Sequence, residues 1–170
     1  MRVRRAEPGD AAAIAAVHVR AWRAAYRGLL PEAVLDSLSV EARERAWEGL
    51  LRDGHLTLVA EEGGEVAGFC TVVAPARDTD APADAAELAA LYVDPPRWRG
   101  GVGRELMAAA VRELDARWAV LTVWVIAANA AAVAFYERFG FARDGAERRE
   151  PIASLGAAEA PSQVRLRMRR

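Results

Sequence analysis

Apolar residues fall in short blocks along the chain, and the period of the blocks switches repeatedly. Val3 to Arg5 has room only for a short strand. From Ala11 to Tyr26 the apolar positions Ile14, Val17, Ala21 and Ala25 lie three or four apart, which predicts an amphipathic helix. Pro8-Gly-Asp10 supplies its start and Gly28 its stop. Trp22 and Tyr26 stand four apart on one face of that helix. Pro31 lies near the start of a second helix, and a third covers about Val40 to Arg52. Three strand-like blocks follow: Leu56 to Ala60, then Glu65 to Val73 after the turn Gly63-Gly64, then Glu87 to Val93. A loop rich in Asp, Ala and Pro, from Pro75 to Asp84, precedes the last of them.

Asp94-Pro95-Pro96 ends that strand, and a helix runs from about Val102 to Arg117 with the stripe Leu106, Met107, Ala110, Val111 and Leu114. Ala119 to Ile126 is almost continuously apolar, as a strand covered on both faces would be. Asn129 caps a last helix that stops at Gly140. Phe141 onward and Gln163 to Arg169 read as a closing strand pair, with Asp144 to Ser162 expected as a long irregular loop. This order predicts an α/β fold: one mixed sheet with helices on both faces. The 170 residues make a single domain, 1–170, long enough to bury a core unaided.

Charge narrows the partners. The net charge of -1 offers no global field to nucleic acid. The Arg-rich ends, Arg2, Arg4, Arg5 and Arg165, Arg167, Arg169, Arg170, alternate with apolar residues and read as outer faces of strands. Every basic residue is Arg, which excludes a P-loop lysine and Schiff-base chemistry. Cys70 is the only cysteine, so no internal disulfide forms, and with His18 and His55 alone no Cys/His zinc cluster is expected. The N-terminal apolar run is short and interrupted by Glu7 and Asp10, unlike a signal peptide. No run has the length of a membrane span, so the expected localisation is cytoplasmic, away from membranes.

The sharpest chemical signal is a strand, then Trp98-Arg-Gly-Gly-Val-Gly103, then a helix. Glycines let backbone approach a ligand, and a helix start offers free N–H groups to a phosphate. Taken alone, the segment is equally a tight strand-to-helix turn. A dinucleotide fingerprint needs a third Gly where Leu106 stands, so a nucleotide-binding regulatory domain fits poorly.

Three blocks together resemble the GCN5-related N-acetyltransferases. Leu91-Tyr92-Val93-Asp94-Pro95 and the glycine loop are similar to that family's strand and pyrophosphate loop, with Trp98 where Arg or Gln is usual. Asn129-x-x-Ala132-x-x-Phe135-Tyr136-x-x-x-Gly140-Phe141 is the second block. Trp22-x-x-Ala25-Tyr26-x-Gly28-x-x-Pro31 is the third. The resemblance spans Val3 to Arg169. It implies a mostly antiparallel sheet of six to seven strands, splayed between the fourth (Glu87–Val93) and fifth (Ala119–Ile126). It implies acetyl-CoA as cosubstrate and direct attack by an amine, without an acyl-enzyme. The pantetheine arm then pairs with backbone of Leu91 and Val93. Tyr92, Arg99, Gly100, Gly101, Val102, Gly103, Arg104, Asn129 and Phe135 complete the coenzyme site.

The same resemblance makes Tyr136 the general acid for the leaving thiolate, or else a core aromatic. It makes Glu87 the general base, or else a solvated strand-end carboxylate. Trp22 and Tyr26 either wall the acceptor pocket or pack in the core. Cys70, on an apolar strand, reads as a core residue. Asp78, Asp80 and Asp84 favour a cationic substrate or are a solvated turn. The 144–162 loop, with Glu147, Arg148, Arg149 and Glu150, is placed to close over the acceptor or is solvated surface. The expected function is acetyl transfer to a primary amine of a small molecule or a protein N-terminus. The alternative is a non-catalytic acyl-CoA sensor on the same fold. Dimers are common in the family, which leaves a homodimer open.

Overall fold

A computed structural model of the chain describes residues 1–149 and 160–170. Seven strands form one sheet: β1 (Arg2–Arg5), β2 (Leu56–Glu62), β3 (Glu65–Val73), β4 (Ala85–Val93), β5 (Val120–Ile126), β6 (Ala142–Arg149) and β7 (Ser162–Arg169). Their spatial order is β1-β2-β3-β4-β5-β7-β6. Every neighbouring pair is antiparallel except β4–β5. The helices are α1 (Ala11–Ala25), α2 (Glu32–Asp36), α3 (Val40–Arg52), α4 (Val102–Glu113) and α5 (Ala130–Arg138).

The two faces of the sheet have separate cores, as strand alternation requires. Leu58, Cys70, Val72, Leu88 and Leu121 pack under Leu106 and Met107 of α4. Val59 and Phe69, on the other face, pack under Ile14 and Val17 of α1 and Trp47 of α3. Each large apolar side chain so buried contributes about 1.5–3 kcal/mol.

Two features set up the site. The parallel β4–β5 pairing holds only at Ala85↔Val120, Ala86↔Leu121 and Glu87↔Thr122, after which the strands diverge. In addition, Thr71 pairs with Ala90 and Val72 with Leu88, so Ala89 is an extra residue in β4. Such a bulge reverses side-chain alternation. Leu88 and Leu91, three apart, consequently serve the same α4-facing core, while Ala90 and Tyr92 face α1.

Four expectations are corrected. The stretch from Asp144 is not irregular: β6 continues through Arg149, pairing Glu147↔Val164, Arg148↔Gln163 and Arg149↔Ser162. Glu150 lies outside the described residues. Arg165 is not on an outer face. The strand β7 is internal to the sheet, and Arg165, 5% exposed, is met by Asp144 at 2.8 Å and Asp80 at 2.7 Å. Asp10 stands at the N-cap of α1 but its side chain makes no cap bond to that helix; it accepts from the Glu7 N–H at 2.7 Å and pairs with Arg4. The helix α4 ends at Glu113, because Leu114 adopts extended backbone.

Candidate active site

The divergence of β4 from β5 opens a cavity of about 950 Å³ through the sheet. Leu88 to Val93 form one wall and Val123, Trp124 and Val125 the other. On the α4 side the lining is Trp98, Arg99, Gly101, Val102, Gly103 and Arg104, with Phe135 and Arg138 from α5. On the α1 side it is Ala21, Ala24, Ala25 and Tyr26.

The glycine loop forms an anion cradle. The first helical bond of α4 runs from Glu105 N–H to Gly101 C=O at 3.1 Å, which leaves the N–H groups of Val102, Gly103 and Arg104 without helical partners. They carry the positive end of the helix dipole. Gly101 caps this helix at φ +86°, where a side chain is strained. At Gly103 a Cβ would stand 3.4 Å from the Phe135 ring and 3.6 Å from Val93, so the close approach of α4, α5 and β4 limits its size. Arg99 has φ +63°, the one non-glycine with positive φ among the described residues. Gly100 does not line the cavity; it serves the turn, its N–H donating to Arg97 C=O at 3.3 Å.

Asn129 lines the cavity, and its side chain caps α5 by accepting from Ala132 N–H at 3.1 Å. That helix presents Tyr136 to the cavity, its ring edge-on to Phe135 and Phe141. Tyr136 is buried, which raises its pKa, with Tyr92 and Cys70 adding to the rise. The phenol therefore keeps its proton throughout the neutral range. Cys70 is a core thiol pushed up to about 12, mainly by burial.

On the α1 side, the hydroxyls of Tyr26 and Tyr92 share a hydrogen bond of 3.2 Å. Behind Tyr92 the imidazole of His18 stacks at 4.8 Å and accepts from Trp47 Nε1 at 3.1 Å. Burial lowers the His18 pKa to about 3, with the Arg43 charge assisting, so the ring is neutral. Trp22 is buried with Leu30, Leu35 and Ile126 and does not line the cavity.

Glu87 is 3% exposed and does not line the cavity either; its neighbour Leu88 does. Its carboxylate accepts from Arg77, Nε at 2.9 Å. Burial alone would raise its pKa, but the hydrogen bonds and charge of Arg77 outweigh that and leave it lowered. Asp78 and Asp80 are likewise engaged: Trp124 Nε1 donates to Asp78 at 2.8 Å, and Asp80 binds Arg165. Asp84 is 3.5 Å from Arg169. The guanidinium of Arg148 lies 4.0 Å over the Trp124 ring, a cation–π contact.

Several wall residues carry no motif signal in the sequence, Trp124, Ala89 and Arg138 among them. Trp124 sat in an apolar run that read as core, and Ala89 gave no signal of a bulge. Arg138 was accessible to inference, since it follows Phe135 by three on one helix face.

The sheet order, the gap between β4 and β5, and the glycine loop at α4 match one family throughout. Its description is the acetyltransferase (GNAT) family, and its sequence model covers residues 17–141. The chain belongs to this family, and it is an N-acetyltransferase. A Mycobacterium tuberculosis protein named as a probable N-acetyltransferase is 32% identical over 148 residues, covering 85% of this chain and 82% of that one. Among solved structures, the ribosomal-protein-alanine N-acetyltransferase of Brucella melitensis superposes with a TM-score of 0.73. It is 25% identical and covers 100% of both chains. The PaiA N-acetyltransferase of Thermoplasma acidophilum, solved in complex with coenzyme A, has a TM-score of 0.76 at 18% identity. It covers 99% of this acetyltransferase and 98% of its own chain. No helix among the described residues is long and apolar enough to cross a membrane.

Proposed function

We propose that this acetyltransferase moves the acetyl group of acetyl-CoA to a primary amine inside the β4–β5 gap. One observation carries the reading: a single cavity joins the N–H cradle of α4, the phenol of Tyr136 and an uncharged pocket under α1. The cradle and the cations of Arg99, Arg104 and Arg138 suit the coenzyme's phosphates. The splay-facing backbone of Leu91 and Val93 suits its amide arm, and Tyr92, Val102, Asn129 and Phe135 shape the walls. A protein of the same fold was solved in complex with coenzyme A, which supports this choice of ligand.

The amine nitrogen bonds to the thioester carbonyl carbon and the C–S bond breaks, its electron pair going to sulfur. Tyr136 holds the proton that sulfur takes. Backbone N–H groups in the gap stabilise the carbonyl oxygen as it becomes negative. The proton that nitrogen gives up restores the phenol through water, so the net products are an amide and a thiol. An α-amine, with pKa near ~8, is neutral often enough at pH 7 to react without a strong base.

Within this class we favour the α-amine of a peptide that begins with a small residue. The pocket under α1 is walled by Ala21, Ala24, Ala25 and Tyr26, which suits a small uncharged group. A full-length relative named for alanine acetylation supports it. The test is mass spectrometry of amines incubated with acetyl-CoA: peptides starting with Ala, Ser, Leu or Phe, a blocked peptide with a free lysine, and a polyamine. Preferential labelling of Ala and Ser peptides is expected. Labelling of the polyamine or the lysine alone would overturn the α-amine reading, and no labelling of any amine would leave a coenzyme-binding sensor.

A further inference from the structure

The last peptide of β4 is already engaged. The N–H of Asp94 donates across the sheet to Ala67 C=O at 2.9 Å. In a trans peptide the carbonyl points the opposite way, so the C=O of Val93 faces the gap. Antiparallel pairing alternates, and with Tyr92 opposite Phe69 the N–H of Val93 and both backbone groups of Leu91 also face the gap. Among the described residues no strand meets them, since pairing with β5 ends at Glu87↔Thr122. One of these four groups is taken: the indole Nε1–H of Trp98 donates to Val93 C=O at 2.7 Å.

Elsewhere the turn is held by side chains: Arg20 binds Asp94 at 2.8 Å, and Arg97, which also lines the cavity, binds Glu62 at 2.6 Å. The Trp98 bond ends on the gap itself, and its ring helps to line the cavity while remaining 43% exposed. A large aromatic is seldom left so open, and core packing does not account for it. Immediately after it the chain enters the strained Arg99 at φ +63° and then Gly101 at φ +86°. A loop in such backbone needs an external tie to hold its N–H groups in one direction.

We propose that Trp98 is a positioning residue for the coenzyme: its indole N–H latches the glycine loop to the carbonyl of Val93. The latch does two things. It holds the N–H groups of Val102 and Gly103 ready for a pyrophosphate, and it removes one acceptor from the gap. The coenzyme's amide arm is then left with the N–H of Val93 and the two groups of Leu91, which fixes its register along β4. This rests on the reading that acetyl-CoA occupies the gap.

Two variants separate the latch from the ring. Trp98→Phe keeps an aromatic ring and removes the donor. Trp98→Gln removes the ring but keeps an N–H as many bonds from Cα as the indole nitrogen. Coenzyme A binding is measured by titration calorimetry and thermal shift, beside KM and kcat for acetyl-CoA. The Phe variant is expected to bind roughly three- to tenfold more weakly, the effect of one lost hydrogen bond. KM should rise with it while kcat at saturation and the ligand-free Tm stay unchanged, and the Gln variant should recover most of the loss. Wild-type binding by the Phe variant overturns the latch, and so does equal weakness of Gln and Phe, which would assign the effect to the ring. Failure of coenzyme A to stabilise even the wild type would instead refute the coenzyme reading itself.

Discussion

Glu87 and Arg77 meet side by side, with Arg77 Nε 2.9 Å from Glu87 Oε2 and a second nitrogen on Oε1. The carboxylate is buried while 61% of the arginine side chain is exposed, so the pair is anchored at one end and screened at the other. Glu87→Gln should lower stability by about 1–3 kcal/mol, less than for a fully buried pair because solvent screens Arg77. The lowered pKa makes this contribution present above the ordinary value of 4.5 and lost as pH falls below it. Turnover with an α-amine should remain within about threefold of wild type, since the group does not reach the cavity. Chemical denaturation beside a rate assay checks both. A variant that folds normally but has lost turnover would place Glu87 in the chemistry.

Tyr136→Phe keeps the packing against Phe135 and Phe141 and removes only the proton. A drop in kcat of roughly 10²-fold is expected, the low end for a lost general acid because a thiolate leaves readily. The Kd for acetyl-CoA should stay the same. Because the phenol pKa is raised, the wild-type rate should show no alkaline limb from this group below about pH 10. Unchanged turnover at saturating coenzyme would return Tyr136 to a packing role.

Arg99 occupies backbone that glycine adopts freely. Arg99→Gly should therefore raise the ligand-free stability by about 1 kcal/mol while weakening coenzyme A binding through loss of the cation. Gly101→Val runs the opposite way at φ +86° and should lose both. Thermal shift with and without coenzyme A reads the two effects together. If Arg99→Gly binds as tightly as wild type, its guanidinium does not contact the phosphates.

His18 should make folding acid-sensitive. Its pKa falls from 6.5 to about 3 in the folded protein, so the unfolded chain takes up a proton that the folded one does not. Stability is complete above about 6.5 and declines as pH falls toward about 3, by at most about 1.4 kcal/mol per pH unit. His18→Gln should flatten the upper part of that decline in denaturation curves, before the carboxylates titrate. An unchanged slope would mean that His18 is not the group responsible.

The element order was legible because each block declares its period, and the glycine loop because only a few backbone shapes use such residues. The site was less so. Trp22 and Tyr26 share a helix face in sequence, but Tyr26 leaves helical geometry as the C-cap, with φ -108°. Its ring turns to the cavity while Trp22 stays in the core. The Asp144–Arg149 strand is charged and carries an irregularity between Arg143 and Glu147, with Gly145 at φ +92°. No apolar alternation marks it. Arg165 looked external because alternation reports which residues share a face and not what covers it; the covering acids Asp78 and Asp80 come from a loop more than eighty residues away. The resemblance puts Glu87 at the start of the strand that lines the gap, but strand position does not say where a side chain turns, and this carboxylate turns to Arg77.

Ala89, the single unpaired residue of the bulge, gives β4 two reading frames. Upstream of it odd and even positions serve one assignment of faces, downstream the reverse. Deleting one residue between Glu87 and Val93 would merge the two frames: Leu88 and Leu91 would keep the α4-facing side, Glu87 would keep the other, and the bulge itself would be lost. A bulge bends its strand and adds local twist, so the loss would be felt where β4 leaves β5, at the mouth of the gap, more than in either core.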